Sequence, residues 1–517
     1  VMLFAALAGA FLWEVLLGGK VLLPLDNLFL FPPWRALAAQ FGASVPNNHL
    51  IGDMLVQNLS WRTFAQDVVR QGSLPLWNPY VFAGTPFMAA GQQAVLYPFA
   101  AIFYLLAVPP AYGWYTAGHL LLGMLGMYAF VRATGVPRFG GIVAAITFAF
   151  SGFMVVSFLW PMVVGVAVWV PDLRLFVELV VKQAEGPAPR SGRQSLWALL
   201  LAVPVGLMFL AGHLEFAFYG LFTAGFYAFC RLVVLGWMAR RVRPVLRAAV
   251  LLLVGVMLGT SLAAVQLVPF GEIAGQNFRT GLVGYDDAVG YALPKWQVLS
   301  FVMPDFFGNP THHSYFDVVD GKTKPVGNNA LGQPTDPPQT IFWGRKNYVE
   351  AASYVGILPL LLAALAVIGR RNRYTWIFLL YGVFSLSLAF GAPWFRLFFY
   401  GVPGFDQLHS PFRWIFPYTL CVAALAGIGA SYIADGGARK RLAVTARGRA
   451  DESSVILSEA KNLRPLRTRF FASLRMTDGG VVGEFLFPSF CWFRHPFRKL
   501  CRNQQDNPSK KCRIYSY

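Results

Sequence analysis

Charge is scarce in this chain: only 13% of its 517 residues are Asp, Glu, Lys or Arg, against 56% hydrophobic and 16% aromatic. Several apolar runs reach the roughly 20 residues that cross a ~30 Å hydrocarbon core. Together these exclude a soluble globular protein and indicate a polytopic membrane protein. Cysteine is also sparse. Cys230 and Cys421 fall inside apolar runs, where a thiol acts as a small hydrophobe. Cys491, Cys501 and Cys512 follow near the end in a spacing that fits no zinc or disulfide framework, so redox chemistry is not expected. Missing too are a P-loop, a Gly-x-Gly-x-x-Gly after a strand and a His-Glu-x-x-His, which leaves ATP-driven work without a motif. The net charge of +19 suggests nucleic acid at first, but residues 435–517 contribute +10 of it and the rest follows membrane topology, so no nucleic-acid partner is expected.

About ten spans are predicted, at 2–18, 112–131, 139–157, 159–180, 196–211, 214–235, 248–268, 351–368, 374–391 and 411–434. The first lacks a basic n-region and a small-x-small cleavage site, so it is read as a retained span rather than a signal peptide. Threading the chain alternately puts Arg132 and Arg138, then Lys182, Arg190 and Arg193, then the arginines from 231 to 247, then Arg370, Arg371 and Arg373 on one side. By the positive-inside rule that side is the cytoplasm. Two long outer loops, 19–94 and 269–350, then share the opposite side, where chemistry is expected. The run 95–108 is short for a span and is read as an interfacial helix ending at Pro109-Pro110. The predicted architecture is an all-α membrane domain over 1–434 followed by a basic, irregular tail over 435–517. The tail stretch Ser454-Val-Ile-Leu-Ser-Glu-Ala-Lys-Asn-Leu463 resembles the translation of an interspersed bacterial repeat. Two readings of the tail stand: readthrough into non-coding sequence, or a disordered cationic segment on the anionic inner leaflet.

Within the first outer loop, Gly72-Ser-Leu-Pro-Leu-Trp-Asn-Pro-Tyr-Val-Phe-Ala-Gly-Thr-Pro86 is too rich in proline, glycine and polar aromatic residues to form a lipid-facing helix. It reads as a shaped surface outside the bilayer, with Trp77, Asn78 and Tyr80 as candidate substrate-binding residues. Asp26 lies just beyond the first span amid aromatic and apolar neighbours, a setting that suits a general base; an ordinary solvated acid or helix cap is the alternative. Asp53 is a second acid in the same loop, and Asp67, further along an amphipathic stretch, reads as a solvated face. Paired acids offer oxygen ligands to a divalent cation. No compact spacing marks one, so a divalent cation is left open and no cofactor is assigned.

Ala211-Gly-His-Leu-Glu-Phe216 places His213 and Glu215 where two spans meet at the outer surface, and ionisable residues at such depth are candidate site residues. His119, near the outer end of the second span, fits better as a hydrogen-bond partner of a neighbouring helix. His409-Ser-Pro-Phe-Arg413 opens the last span and puts a guanidinium near the lipid phosphates, either to grip a phosphate or to snorkel. Asp305 and Glu350 bracket the second outer loop, where structural turns explain their segments equally well.

Taken together, Pro75-Leu-Trp-Asn-Pro-Tyr-Val-Phe-Ala-Gly-Thr-Pro86, Gln93-Ala-Val-Leu-Tyr-Pro98, Phe148-Ala-Phe-Ser-Gly-Phe153, Ala211-Gly-His213, Pro304-Asp-Phe-Phe-Gly308, Tyr354-Val-Gly356 and Pro411-Phe-Arg413 make roughly residues 10–434 resemble the bacterial YfhO family, similar in organisation to GT-C glycosyltransferases. The resemblance implies a multi-pass enzyme of the bacterial cytoplasmic (inner) membrane. Such an enzyme moves a sugar from a polyprenyl-phosphate donor to an envelope polymer or lipid acceptor on the outer face. It implies an acid of the first outer loop as base, here Asp26 with Asp53 as runner-up, and a basic residue for the donor phosphate, best matched by Arg413. Members of the family run on with further spans and an outer carboxy-terminal region, so the chain reads as truncated. The alternatives are a transporter or flippase of lipid-linked cargo, using Glu14, Asp172, Arg174, Glu178 and His119, and a non-catalytic truncated membrane protein.

Overall fold

Prolines, glycines and polar caps divide the apolar runs into helices. The computed structural model describes residues 1–42, 48, 51–185, 191–276, 284–308, 314–317, 322–325, 348, 352–408 and 410–436. The expected tail from residue 437 onward, with its three cysteines, and also Arg190, His409 and Glu350 lie outside the described residues.

The first run forms α1 (Met2–Phe11) and α2 (Trp13–Leu16). In the first long polar segment, short 3-10 turns at Leu25–Leu30 and Trp34–Phe41 precede a π-helical turn, Met54–Leu59, that runs straight into α3 (Ser60–Arg70). The hairpin of β1 (Trp77–Asn78) and β2 (Thr85–Pro86) follows, pairing Trp77 with Pro86 and Asn78 with Thr85. The run 95–108 gives a 3-10 turn, Pro98–Ala101, and the single turn α4 (Ile102–Leu105). Pro109 and Pro110 do not end that helix, as the sequence predicts, but open α5 (Val108–Ala133). In a first turn the N–H has no intrahelical acceptor, so proline costs nothing there.

The next helices are α6 (Arg138–Ala149), α7 (Gly152–Val156), α8 (Pro161–Ala167), α9 (Val170–Ala184), α10 (Ser191–Leu210), α11 (Leu214–Ala239), α12 (Val242–Leu262) and α13 (Ala264–Ala274). The second long polar segment holds α14 (Tyr285–Gly290) and a hairpin of β3 (Ser314–Asp317) and β4 (Lys322–Pro325). The chain then forms α15 (Ile357–Gly369), α16 (Arg373–Ala389), α17 (Phe395–Gly401) and α18 (Ile415–Ala434). It is an all-α, multi-pass membrane protein whose strands, among the described residues, are confined to two short hairpins.

Helix occupies each of the ten expected runs. Among the described residues, length and composition alone qualify four as spans: Gly192–Leu210, Leu214–Ala239, Val242–Leu262 and Pro411–Ala434. The pair Arg138–Ala149 and Gly152–Leu159, bent by 42°, makes a fifth. At that bend Ser151 Oγ accepts from Met154 N at 3.4 Å, and Gly152 N donates to the carbonyl of Tyr354 at 2.7 Å. The side chain and the distant segment that leads into α15 thus satisfy amides that the break releases. Other runs are shortened, as in the 13 residues of α15, about 20 Å of helix, or split, as between α8 and α9.

The core is built on α18, buried from Ile415 to Tyr432 and packed against α6, α15 and α16. Small residues let the backbones touch: a Cβ on Gly429 would overlap the Leu362 carbonyl of α15, and one on Gly140 of α6 would overlap Ser431 Oγ and the Gly427 carbonyl. The lipid-facing surface is most evident on α12, where Val250, Leu253, Val254, Met257 and Leu262 are exposed. We predict that Gly429→Val, which drives a branched side chain into the α15 backbone, costs about 1–3 kcal/mol or more. This will appear as a lowered unfolding temperature of the purified protein in detergent, and an unchanged temperature would contradict the packing.

Candidate functional site

The two ends of the bundle carry different chemistry. At the basic end, Glu178 of α9 is fully buried and accepts from Arg231 Nε at 2.6 Å, Tyr227 at 2.7 Å and Tyr374 at 2.5 Å. Arg231 and Arg373 also bind Glu185, at 2.8 and 3.1 Å, and Lys182 donates to the carbonyl of Ala133. The ends of α5, α9, α11 and α16 that carry the arginine-rich loops therefore meet on one side, as the charge pattern predicts. Glu178 was picked from the sequence only as a span-level acid. Its spacing to Lys182 and Glu185, four and seven residues along one helix face, was the signal for a pairing site.

At the opposite end, Gly212 turns the chain from α10 into α11 with φ +93°, and a Cβ there would overlap the carbonyl of Gly91. The Ala211-Gly-His213 motif is thereby pressed against the loop that leads into Gln93-Ala-Val-Leu-Tyr-Pro98. His213 caps α11, its Nδ1 accepting from Phe216 N at 3.4 Å. Glu215 sits in the first turn, where a carboxylate complements the helix dipole. Its partner is Arg413 Nη1, with side-chain exposures of 17% and 27%, so the pair is sheltered but reachable. Tyr219 donates toward Glu215 at 3.5 Å and the Ser410 carbonyl at 3.4 Å, and the guanidinium lies 5.5 Å from the Phe216 ring. Burial, assisted by the Arg413 charge, holds the His213 imidazole down at about 4. Three residues picked from motifs some 200 positions apart thus form one cluster. Arg413 meets a carboxylate in it, which sequence reasoning did not foresee.

Asp26 and Asp53 form a second group. Asp26 is half-buried on the turn Leu25–Leu30, and its Oδ1 accepts from the backbone N of Asn27 at 3.1 Å. Asn27 is wholly buried and donates to the carbonyl of Asn48 at 2.9 Å, which braces the turn. That turn packs on Met54–Leu59, whose N-cap residue is the exposed Asp53. Asp67 faces solvent. Among the described residues no three His, Cys, Asp or Glu side chains are grouped to hold a metal ion.

No family model and no curated protein matches the chain. Two solved structures do, both of the oligosaccharyltransferase of Archaeoglobus fulgidus. One is AglB in complex with an inhibitory peptide and a dolichol-phosphate (12% identity, TM-score 0.38) and the other is the apo form (12%, 0.40). Each alignment covers 100% of this chain and 61% of the other, so the chain spans about three fifths of their length. Likeness at that level decides neither activity nor substrate.

The hairpin divides its candidate residues. Asn78 is buried, its Oδ1 accepting from Tyr80 N at 2.9 Å to close the turn. Trp77 and Tyr80 point outward at 55% and 83% exposure. Phe82 and Ala83 hold positive φ, and at Gly84 (φ +120°) a Cβ would lie 2.6 Å from the Trp77 indole, so the ring lies against the glycine. Gln266 at the junction to α13 donates to the Met88 carbonyl at 2.8 Å and anchors the hairpin's base.

His119 is buried in a network below this loop. Its Nδ1 lies 2.7 Å from the Tyr115 carbonyl, which can only accept, so Nδ1 carries the proton and Nε2 accepts from Tyr97 OH at 2.8 Å. Trp169 Nε1 donates to the same Tyr97 oxygen at 2.9 Å. His119 is expected to bond a neighbouring helix; its partners are instead a carbonyl of its own helix and Tyr97 in the loop before Pro98–Ala101. In the second long polar segment Tyr348 donates to Asp305 at 3.1 Å, and burial, with the carboxylate's charge, pushes this phenol well above its usual range.

Two outcomes follow from the Glu215–Arg413 cluster. A double-mutant cycle with Glu215→Gln and Arg413→Met will show a coupling of about 1 kcal/mol in unfolding free energy, and zero coupling contradicts the pairing. The unfolded His213 takes up a proton near 6.5 and the folded one only near 4, so its contribution to stability is complete above about pH 6.5 and is lost toward pH 4. Thermal unfolding across that window will fall less steeply in His213→Asn, which keeps a cap acceptor. Parallel curves would refute the buried neutral imidazole.

Proposed function

We propose that the chain is an integral-membrane glycosyltransferase that moves a sugar from a polyprenyl-phosphate donor to a cell-envelope acceptor on the outer face of a bacterial cytoplasmic membrane. The observation that supports it is Asp26 on a braced turn in contact with the helix that Asp53 caps, just beyond the first apolar run, in the segment that also projects Trp77 and Tyr80. The motif resemblance to the YfhO family points the same way. Asp26 takes the proton of the acceptor hydroxyl as its oxygen attacks the anomeric carbon. The new glycosidic C–O bond forms as the sugar–phosphate C–O bond breaks, and the polyprenyl phosphate leaves with the electron pair. Asp53 is the second candidate for base. Trp77 and Tyr80 offer faces for a sugar ring, Asn78 fixes their turn, and Arg413, steadied by Glu215 beside His213, meets the donor phosphate.

A transporter or flippase of lipid-linked cargo is the rival, and one observation favours it. Arg174 is buried within the bundle beside the Tyr381 ring, 5.6 Å away, and the helices nearby are broken. Vesicles that move labelled lipid without transferring sugar decide for it.

Asp26→Asn will lower transfer from a labelled polyprenyl-phosphate sugar by about 10²–10⁴-fold with unchanged expression. Full activity in that variant removes Asp26 from the mechanism. Tyr80→Cys will react with an impermeant maleimide in intact cells, whereas protection from outside reagents removes the outer-face assignment.

A further inference from the structure

Arg62 of α3 is 1% exposed, and among the described residues none of its Nε, Nη1 and Nη2 atoms has a hydrogen-bond acceptor and no carboxylate pairs with it. Of the other fully buried arginines, Arg231 is met by Glu178 and Glu185, and Arg174 is likewise without an acceptor but stands alone, with no second outstanding donor one helical turn away. Arg62 has instead the face of Phe103, 4.4 Å from its central carbon, with Tyr104, Tyr112 and Tyr115 around it. A ring face offsets part of the loss of water but accepts none of the five N–H bonds.

A second donor points from the same helix. Asn58, one turn earlier on the continuous helix Met54–Arg70, is buried, and its Oδ1 is taken by the Tyr112 hydroxyl at 2.7 Å. That bond orients the amide so that Nδ2 is the outstanding group, and Nδ2 has no acceptor. Residues four apart share a helix face. The helix therefore buries four nitrogen donors side by side, with no oxygen of the described residues to receive them. The imidazole of His119 cannot supply one, since its Nδ1 donates to Tyr115 and its Nε2 is taken by Tyr97. Buried donors left without acceptors cost far more than made hydrogen bonds return, and a buried charge costs more still.

We propose that Asn58 and Arg62 form a binding site for a phosphate-type oxyanion. The guanidinium fork takes two oxygens in parallel and the Asn58 amide takes a third, a set that a tetrahedral anion fills and a carboxylate does not. One wall is the single turn Ile102–Leu105, which lays Phe103 over the guanidinium. Gln66, one turn beyond Arg62, pins that wall by donating to the carbonyls of Phe103 and Leu106, each at 2.6 Å. On the outer side of the wall Leu105 is 78% exposed, and Leu106 and Phe99 are exposed near it. The phosphate group can come from a lipid headgroup, whose chains would lie along these apolar residues, or from solution. The inference does not depend on glycosyl transfer.

The test uses the full chain, purified and reconstituted in nanodiscs of phosphatidylcholine, then of phosphatidylcholine with phosphatidic acid, with the unfolding temperature as readout. Inorganic phosphate is titrated against chloride at equal ionic strength in the first set. The wild type will gain about 5 °C at saturation from the anion it recognises. A gain from inorganic phosphate identifies the free anion, and a gain only with phosphatidic acid identifies the headgroup. Arg62→Met will unfold no lower than the wild type without anion, because it removes a buried unpaired charge, and will lose the anion-dependent gain. Arg62→Lys will retain part of it. The same gain in wild type and Arg62→Met, no gain from either anion, or a steep fall in Arg62→Met without anion each overturns the site.

Discussion

Glycine at 427 and 429 lets the backbone of α18 run directly against α6 and α15, and the remaining geometry depends on that contact. With α18 sealed inside the bundle, its leading turn Pro411–Trp414 is carried to a defined place, and Arg413 arrives beside Glu215 of α11. The same packing keeps α6 near the segment that enters α15, where Tyr354 receives the amide of Gly152 and stabilises the bend between α6 and α7. A wider residue on α18 would push the helices apart at the core and shift both features together.

Charge is distributed with comparable economy. The basic end neutralises its arginines against Glu178 and Glu185 and adds two phenols to the buried carboxylate, so nearly every lone pair there has a donor. Such a network gains little net stability over an apolar replacement, but it fixes which helix ends meet. At the opposite end of the bundle the Glu215–Arg413 pair is less buried and is bordered by the Phe216 and Phe412 rings.

Much of the helical content was legible, because apolar runs of span length have few other solutions, and so was the common side of the arginine-rich loops. Pro109-Pro110 was misread as a stop because proline ends and begins helices with equal ease, and only the chain beyond it decides. The exposed Asp67 followed from the surrounding pattern. The pairing of Arg413 with Glu215 and the isolation of Arg62 did not, since both depend on which distant segments meet, and no local spacing encodes that. Asn78 shows the same limit in miniature. Its neighbours Trp77 and Tyr80 face outward, while its own side chain is consumed in closing the turn that presents them.

The hairpin's stiffness has a thermodynamic corollary. With the Trp77 ring against Gly84, the Asx turn at Asn78 and the base tied down by Gln266, the conformational entropy of this tip is surrendered during folding rather than on contact with a partner. A partner of the kind proposed for Trp77 and Tyr80 would encounter a preorganised rim, and its binding would be governed by shape match and dissociation rate, not by the slow ordering of a loose segment.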